Sequence, residues 1–233
     1  MILCLSQWLK TKLKRMLRYN IYKKTFNSSD YSDFRWKLFK QIKDGEITKV
    51  GIKKYVVGYK PYNYSFESEL AKSIEKYLQE EYPDVDVVVW ETRILNEWMN
   101  LQISRNTIIV ESEGVFTDYI FEGIRNTFEN SKCLLMPKVE EYLRYAENDT
   151  VVVKKMVSRS PKSKNDRHII LEKLIVDLAF DKFISALFDR ASVIDVIGEI
   201  CRSYIVDDDL ILRYAKRRHK ETEMMKILET ADD

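Results

Sequence analysis

Residues 32–58 read SDFRWKLFKQIKDGEITKVGIKKYVVG, and the rest of the chain is organised around this stretch. Four of its apolar side chains recur at helical spacing: Phe34, Leu38, Phe39 and Ile42. This spacing predicts an amphipathic helix with one buried stripe, which Gly45 ends as a left-handed cap. Two short β-branched runs follow within residues 46–57 on either side of Gly51, which predicts a β-hairpin.

A short basic helix followed by a hairpin that carries lysines is typical of the second half of a winged helix-turn-helix. In that motif the helix enters the major groove of DNA and the wing contacts phosphates. The predicted groove-facing residues are Ser32, Arg35, Trp36, Lys37 and Lys40. The predicted phosphate contacts are Lys49, Lys53 and Lys54 in the wing, with Lys10 and Lys14 in an N-terminal amphipathic helix. On spacing alone, a solvated basic helix beside a hairpin remains an alternative interpretation.

The charges of the chain are segregated along its length. Residues 1–60 hold 15 Lys/Arg against 4 Asp/Glu, a balance of +11, whereas residues 61–150 hold 8 against 18, a balance of −10. The remaining residues hold 16 against 15, so the whole chain has a net charge of only +2. Such an asymmetry is expected when one domain binds a polyanion such as double-stranded DNA.

The composition favours a folded cytoplasmic protein. The chain has 233 residues, 45% of them hydrophobic, with only 6 Gly and 4 Pro. Its three cysteines are far apart, which predicts reduced thiols, and its two histidines provide no zinc site or His-based triad. The apolar run at residues 1–5 is too short for a signal peptide or a membrane span, so we expect no membrane association. We also expect no cofactor.

Two domains are predicted, with the boundary near residue 60, where the charge changes sign. Residues 1–60 form the winged-helix DNA-binding domain, and residues 61–233 form an α/β domain (α+β overall) that ends in a helical bundle. Strands and helices alternate after residue 61, which predicts a parallel or mixed sheet covered by helices. The predicted strands cover residues 85–90, 107–111, 133–136 and 150–156. The predicted helices of this domain include residues 94–101, 116–128, 139–145, 169–188, 191–204 and 208–220. For the basic loop at 157–168, mobility is favoured over a role as a contact site.

The sequence lacks the common catalytic motifs. It contains no GxxxxGK[ST], GxGxxG, HExxH or GxSxG, so we expect no enzyme and no catalytic residue. Asp84 and Glu91 imitate the carboxylate pair of a magnesium-dependent nuclease, but seven residues of one strand separate them. A metal-dependent nuclease-like protein therefore remains one alternative. A non-catalytic protein-interaction module is the other.

Five stretches of the second domain form a recognisable series. They are VVVWETRILNEWM (87–99), TIIVESE (107–113), the loop at 158–161, LEKLIVDL (171–178) and LILRYAKRRHK (210–220). In order and spacing, this series resembles the C-terminal part of AbiEi-type antitoxins, the transcriptional regulators of bacterial type IV toxin–antitoxin pairs. The resemblance implies an autorepressor that binds its own operator. It also implies a functional link to a nucleotidyltransferase-type toxin, without a stable complex between the two proteins.

Overall fold

A computed structural model describes residues 62–163 and 166–231 in full. Closer to the N-terminus it describes the helical residues Lys40 and Lys43 and the backbone of a hairpin. The predictions made for residues 1–39 lie outside this part of the chain. The domain boundary near residue 60 also stays a prediction.

The predicted hairpin is present. Strand β1 (Ile47–Gly51) pairs antiparallel with β2 (Lys54–Val57), and the register joins Ile47 to Val57 and Lys49 to Tyr55. Gly51 is the last residue of β1 and pairs with Lys54, so the chain reverses slightly later than the sequence predicts. The register shifts between Lys49 and Gly51, as in a β-bulge.

The α/β domain contains a four-stranded mixed sheet, as predicted. Its strands are β3 (Val87–Glu91), β4 (Thr107–Ser112), β5 (Cys133–Leu135) and β6 (Thr150–Lys155). The spatial order is β3-β4-β6-β5, in which β3 is antiparallel to β4 and the other neighbours are parallel. Each of the three long strands contains a run of β-branched residues that is buried on both faces, as expected for a sheet covered on both sides.

Helices cover the two faces of this sheet. Their bounds are α1 Glu69–Glu81, α2 Thr117–Thr127, α3 Val139–Tyr145, α4 Leu171–Phe180, α5 Arg190–Ser203, α6 Asp208–Arg217 and α7 Glu221–Ala231. Short 3-10 helices occupy Thr92–Glu97 and Ile184–Ala186. Helices α1 and α2 pack on one face through Ile74, Leu78, Ile120 and Ile124, and α4 to α7 form the larger core on the other. Among the described residues, no helix is long and apolar enough to cross a membrane.

Two predicted helices differ from the observed ones. The single helix predicted at 169–188 ends at Phe180, because the Asp181 carboxylate accepts hydrogen bonds from the amides of Phe183 and Ile184 and starts a 3-10 turn there. The helix predicted at 94–101 is the 3-10 helix at Thr92–Glu97. The bounds of the other predicted elements agree with the structure to within a few residues.

The basic loop after β6, for which the sequence favours mobility, makes contacts at both ends of its described part. Lys162 pairs with Asp86, and Arg167 Nη2 donates to the carbonyl oxygen of Tyr82 at 2.6 Å. The amide of Val89 donates to the carbonyl oxygen of Arg167 at 2.8 Å, so the end of the loop covers the outer edge of β3. These contacts fix the path of the described part of the loop and cover an edge that would otherwise be open.

Candidate functional site

The predicted DNA-binding residues fall into two groups with respect to the structure. Lys40 is helical and exposed, and the backbones of Lys49 and Lys54 lie in the two strands of the hairpin. The other predicted contacts lie outside the described residues: Lys10, Lys14, Ser32, Arg35, Trp36, Lys37 and Lys53. The structure therefore describes two exposed helical lysines, Lys40 and Lys43, that precede an antiparallel hairpin in the chain.

A cluster of charged side chains, buried in the α/β domain, joins the sheet to the C-terminal helices. Lys173 of α4 is fully buried, and its Nζ atom donates to Glu111 Oε2 of β4 at 2.7 Å and also to Asp177. Asp177 Oδ1 accepts from Tyr214 Oη at 2.9 Å and from Arg218 Nη2 at 2.6 Å. We call this group, together with its extension to Lys154 and Asp181, the ion cluster.

Asp181 links Arg218 to Lys154, which lies nearer the surface. Its Oδ2 atom accepts from Lys154 Nζ at 2.6 Å and lies 3.4 Å from Arg218 Nη2. Burial alone would raise the pKa of Asp181, but the bond to Lys154, the amide of Ile184 and the charge of Arg218 together lower it. The ion cluster contains three carboxylates and three cations, so it is neutral as a whole.

The electrostatics of the ion cluster favour permanent charges. Burial alone would lower the pKa of Lys173, but the carboxylates of Asp177 and Glu111 raise it above its ordinary value. Asp177 likewise raises the pKa of Arg218 against the effect of burial. Burial and Asp177 raise the pKa of the Tyr214 hydroxyl. These cations and this phenol therefore keep their protons at neutral pH, which suits a structural connection better than proton transfer.

Sequence reasoning missed most of the ion cluster. Glu111 lies near the end of β4, where a carboxylate is usually solvated, yet it is 1% exposed. Among the basic residues at 213–220, Arg218 faces inward, whereas Arg213, Lys216 and Arg217 are exposed. The available signal was Lys173 and Asp177 at i, i+4 spacing within the otherwise apolar run LEKLIVDL, which places a pair of charges on a buried helix.

Glu91, one half of the nuclease-like pair, holds backbone amides. Its Oε1 atom accepts from the amide of Ser68 at 3.2 Å, and its Oε2 atom accepts from Asn106 Nδ2 at 2.8 Å. The Glu91 amide donates to Tyr64 Oη at 2.9 Å. Asp84 is exposed in the turn that precedes β3, while Glu91 is the last residue of that strand. The structure therefore does not bring Asp84 and Glu91 together.

The other carboxylates of the described residues do not form a metal site either. In the parts of the chain that the structure describes, no group of three or more His, Cys, Asp or Glu side chains is arranged to hold a metal ion. Glu113 is exposed after β4. Asp207 caps α6, since its side chain accepts from the amide of Leu210.

Two comparisons with known proteins bear on this chain. A family model described as "Family of unknown function (DUF6577)" matches residues 33–233. The matched region includes the helical lysines, the hairpin and the whole α/β domain, so the two parts occur together in that family. No curated protein shows significant similarity to the chain.

Proposed function

The chain belongs to DUF6577, a family of unknown function, and we propose that it is a DNA-binding transcriptional regulator that represses its own gene. In this proposal it is also the antitoxin of a type IV toxin–antitoxin pair. The partner gene encodes a nucleotidyltransferase-type toxin, and the two proteins act without a stable complex. Residues 1–60 recognise the operator, and the α/β domain carries the antitoxin activity.

One observation carries the DNA-binding part of this proposal. An antiparallel hairpin follows exposed helical lysines within residues 1–60, whose balance of charge is +11. A basic helix next to a hairpin offers a groove-reading element and a phosphate-contacting wing side by side. The adjacent acidic stretch would be repelled by DNA, so the charge pattern directs the basic end towards the duplex.

The antitoxin part is supported by the resemblance of the α/β domain to AbiEi-type antitoxins and by its chemistry. The buried cations of the ion cluster are paired, and Glu91 is engaged with backbone amides. These buried polar groups contribute to the fold and offer no reacting centre of their own. A non-catalytic role in opposing a toxin is consistent with that arrangement.

The DNA-binding proposal is tested by fluorescence anisotropy of the full chain with its own upstream region and with a scrambled duplex. We expect tighter binding to the upstream region. Replacing Lys53 and Lys54 together with Ala should weaken binding to both duplexes alike, because phosphate contacts are blind to sequence. Arg35→Ala should weaken binding to the upstream region more than to the scrambled duplex, because groove contacts specify the sequence.

The matched control is the double substitution Lys72→Ala and Lys76→Ala on α1. It removes the same charge from exposed positions outside the proposed site and should leave both affinities unchanged. If the Lys53/Lys54 variant and the control variant lost DNA affinity equally, the affinity would depend on the net charge of the protein alone. Equal weak binding to both duplexes by the unmodified protein would contradict sequence-specific regulation.

The antitoxin proposal is tested in bacteria that express the nucleotidyltransferase-type toxin encoded beside this gene. Growth should recover when the full chain is co-expressed, and it should recover equally with the Lys53→Ala and Lys54→Ala double variant. This result would separate antitoxin activity from DNA binding. Failure of both proteins to restore growth would remove the antitoxin role and leave the regulator proposal to the binding experiment.

A further inference from the structure

The outer edge of strand β5 is open. The amide of Val151 donates to the carbonyl oxygen of Lys132, and the amide of Met136 donates to that of Val153, both at 2.8 Å. Because parallel strands bond through alternate residues, the amide and carbonyl groups of Cys133 and Leu135 point away from β6. Within the described residues, no hydrogen bond reaches these outward groups.

The opposite edge of the same sheet is closed. The Val89 amide of β3 donates to the Arg167 carbonyl at 2.8 Å, and the Glu91 amide donates to Tyr64 Oη at 2.9 Å. Open edges invite pairing with another strand, and proteins usually cover them or make them unsuitable for pairing. This chain covers β3 with its own segments, whereas the described part of the chain provides no such cover for β5.

Exposed apolar side chains occur in the segment that contains the open edge. Met136 directly follows β5 and is 44% exposed, while Leu143 and Tyr145 of the next helix, α3, are 62% and 48% exposed. These three belong to a single segment that begins at Cys133 and ends with α3. Large apolar side chains concentrated beside an open strand are typical of an interaction surface.

We propose that this edge is a dimer interface at which β5 pairs antiparallel with β5 of a second copy of the chain. With the twofold axis beside Leu134, Cys133 lies opposite Leu135 of the second copy, and Leu135 opposite its Cys133. Directly opposed residues of a hydrogen-bonded antiparallel pair exchange both of their bonds. This register therefore satisfies all the outward groups of Cys133 and Leu135 in both copies, and a shift by two residues leaves some of them without a partner. The two sheets join into one continuous sheet.

The charges beside β5 fit the same register. Lys132 is exposed, its Nζ atom lies 5.5 Å from the ring centre of Tyr145, and no carboxylate of the described residues lies within ion-pair distance. In the proposed pairing Lys132 lies opposite Met136 of the second copy, on the sheet face that carries α3. The first turn of that helix holds the exposed Glu140 and Glu141, the carboxylates nearest in sequence to Met136, and Lys138 directly precedes it. The pairing therefore brings Lys132 of one copy towards a helix start of the other copy that carries two carboxylates and one lysine.

The proposal does not depend on the proposed DNA-binding function. It is tested with the full chain by sedimentation over a concentration series and by amide hydrogen exchange. We expect a species of about twice 27.8 kDa that dissociates on dilution. The amides of Cys133 and Leu135 should be protected at high concentration and exchange rapidly after dilution. The Met136 amide, which donates to Val153 within the same copy, is the internal control and should stay protected throughout.

Two variants with a matched control test the interface itself. Cys133→Pro removes an outward amide without removing a bond to β6, and Met136→Lys places a charge beside the edge; each should shift the equilibrium to monomer. Leu101→Lys is the control, because Leu101 is 81% exposed in a different loop, and it should leave the dimer intact. Circular dichroism establishes that each variant is folded. A monomer at every concentration, or a dimer that survives both edge variants, would overturn the proposal.

Discussion

At the scale of single residues, the ion cluster shows how strongly the α/β domain depends on one buried lysine. Lys173 has no exposed surface, and it neutralises Glu111, which is itself 1% exposed. Removing one partner of such a pair costs more free energy than the pair itself contributes, because the other charge remains buried and unpaired. Lys173 is therefore a structural requirement of the fold.

We expect Lys173→Met to lower the free energy of unfolding by about 3–5 kcal/mol, because Glu111 loses its cation. Urea denaturation measures the change. Lys72→Met is the control: its exposed pair with Glu69 should contribute less than about 1 kcal/mol. The double variant Lys173→Met with Glu111→Gln should recover part of the loss. Equal effects of the two single lysine variants would contradict the importance of the buried pair.

Asp181 should make the stability depend on acid pH. Its pKa in the folded protein lies below the ordinary 3.8, so its contribution to stability is complete above that value and is lost as the pH falls through the lower folded pKa. The free energy of unfolding of the unmodified protein should therefore decrease below about pH 4. In Asp181→Asn this decrease should be shallower by at most one bound proton, about 1.4 kcal/mol per pH unit. Parallel pH profiles of the two proteins would exclude this role.

Single residues also explain why the sequence revealed so little of this site. Charged residues on a predicted helix are usually solvated, so Lys173 and Asp177 gave only a weak signal of burial. Their partners Glu111 and Tyr214 are 62 and 37 residues away along the chain, and only the tertiary structure brings them together. The spacing of Asp84 and Glu91 in the sequence argues against a nuclease site. In the structure, Asp84 lies in the turn before β3, and Glu91 is the last residue of that strand.

At the scale of elements, apolar periodicity predicted most of the α/β domain. Runs such as VVVW and TIIV allow few structures other than buried strands, and the striped helices α1 and α2 follow the 3.6-residue period. The errors occur where a single polar contact decides the geometry. Asp181 ends α4 early, and the Arg167 side chain donates to the Tyr82 carbonyl oxygen from a loop whose composition suggested mobility.

The packing of α1 against α2 depends on a glycine. A methyl group on Gly123 of α2 would lie 2.5 Å from Tyr77 Oη and 2.9 Å from Tyr82 Oη. We expect Gly123→Ala to lower the free energy of unfolding by about 1–3 kcal/mol, although alanine favours the helix by about 1 kcal/mol. Adding Tyr77→Phe should recover part of this loss in thermal or urea denaturation.

The control for this substitution is Gly114→Ala. A methyl group there would meet the Lys155 side chain at an ordinary 3.6 Å, so we expect little change in stability. A stabilised Gly123→Ala protein would show that the two tyrosines move aside without cost.

At the scale of the whole molecule, the separation of charge matters more than the net charge of +2. If residues 1–60 neutralise six to eight phosphates, the logarithm of the DNA affinity should fall with the logarithm of the salt concentration at a slope of roughly −5 to −7. Anisotropy over a salt series measures this slope. Removing Lys53 and Lys54 should make it shallower by about 2. A slope near zero would contradict phosphate binding by this part of the chain.

The packing of Tyr62 in the α/β domain limits the distance between that domain and the hairpin. Tyr62 packs against Trp98 and Tyr204, with ring centres 5.6 and 5.2 Å away, and only residues 58–61 separate it from the hairpin strand that ends at Val57. A fully extended chain between Val57 and Tyr62 spans at most about 18 Å. If the hairpin holds a duplex as proposed, the effective concentration of the α/β domain beside that duplex is in the millimolar range. A repulsion that is negligible between separate molecules would then act on the acidic stretch at residues 61–150 throughout the bound state.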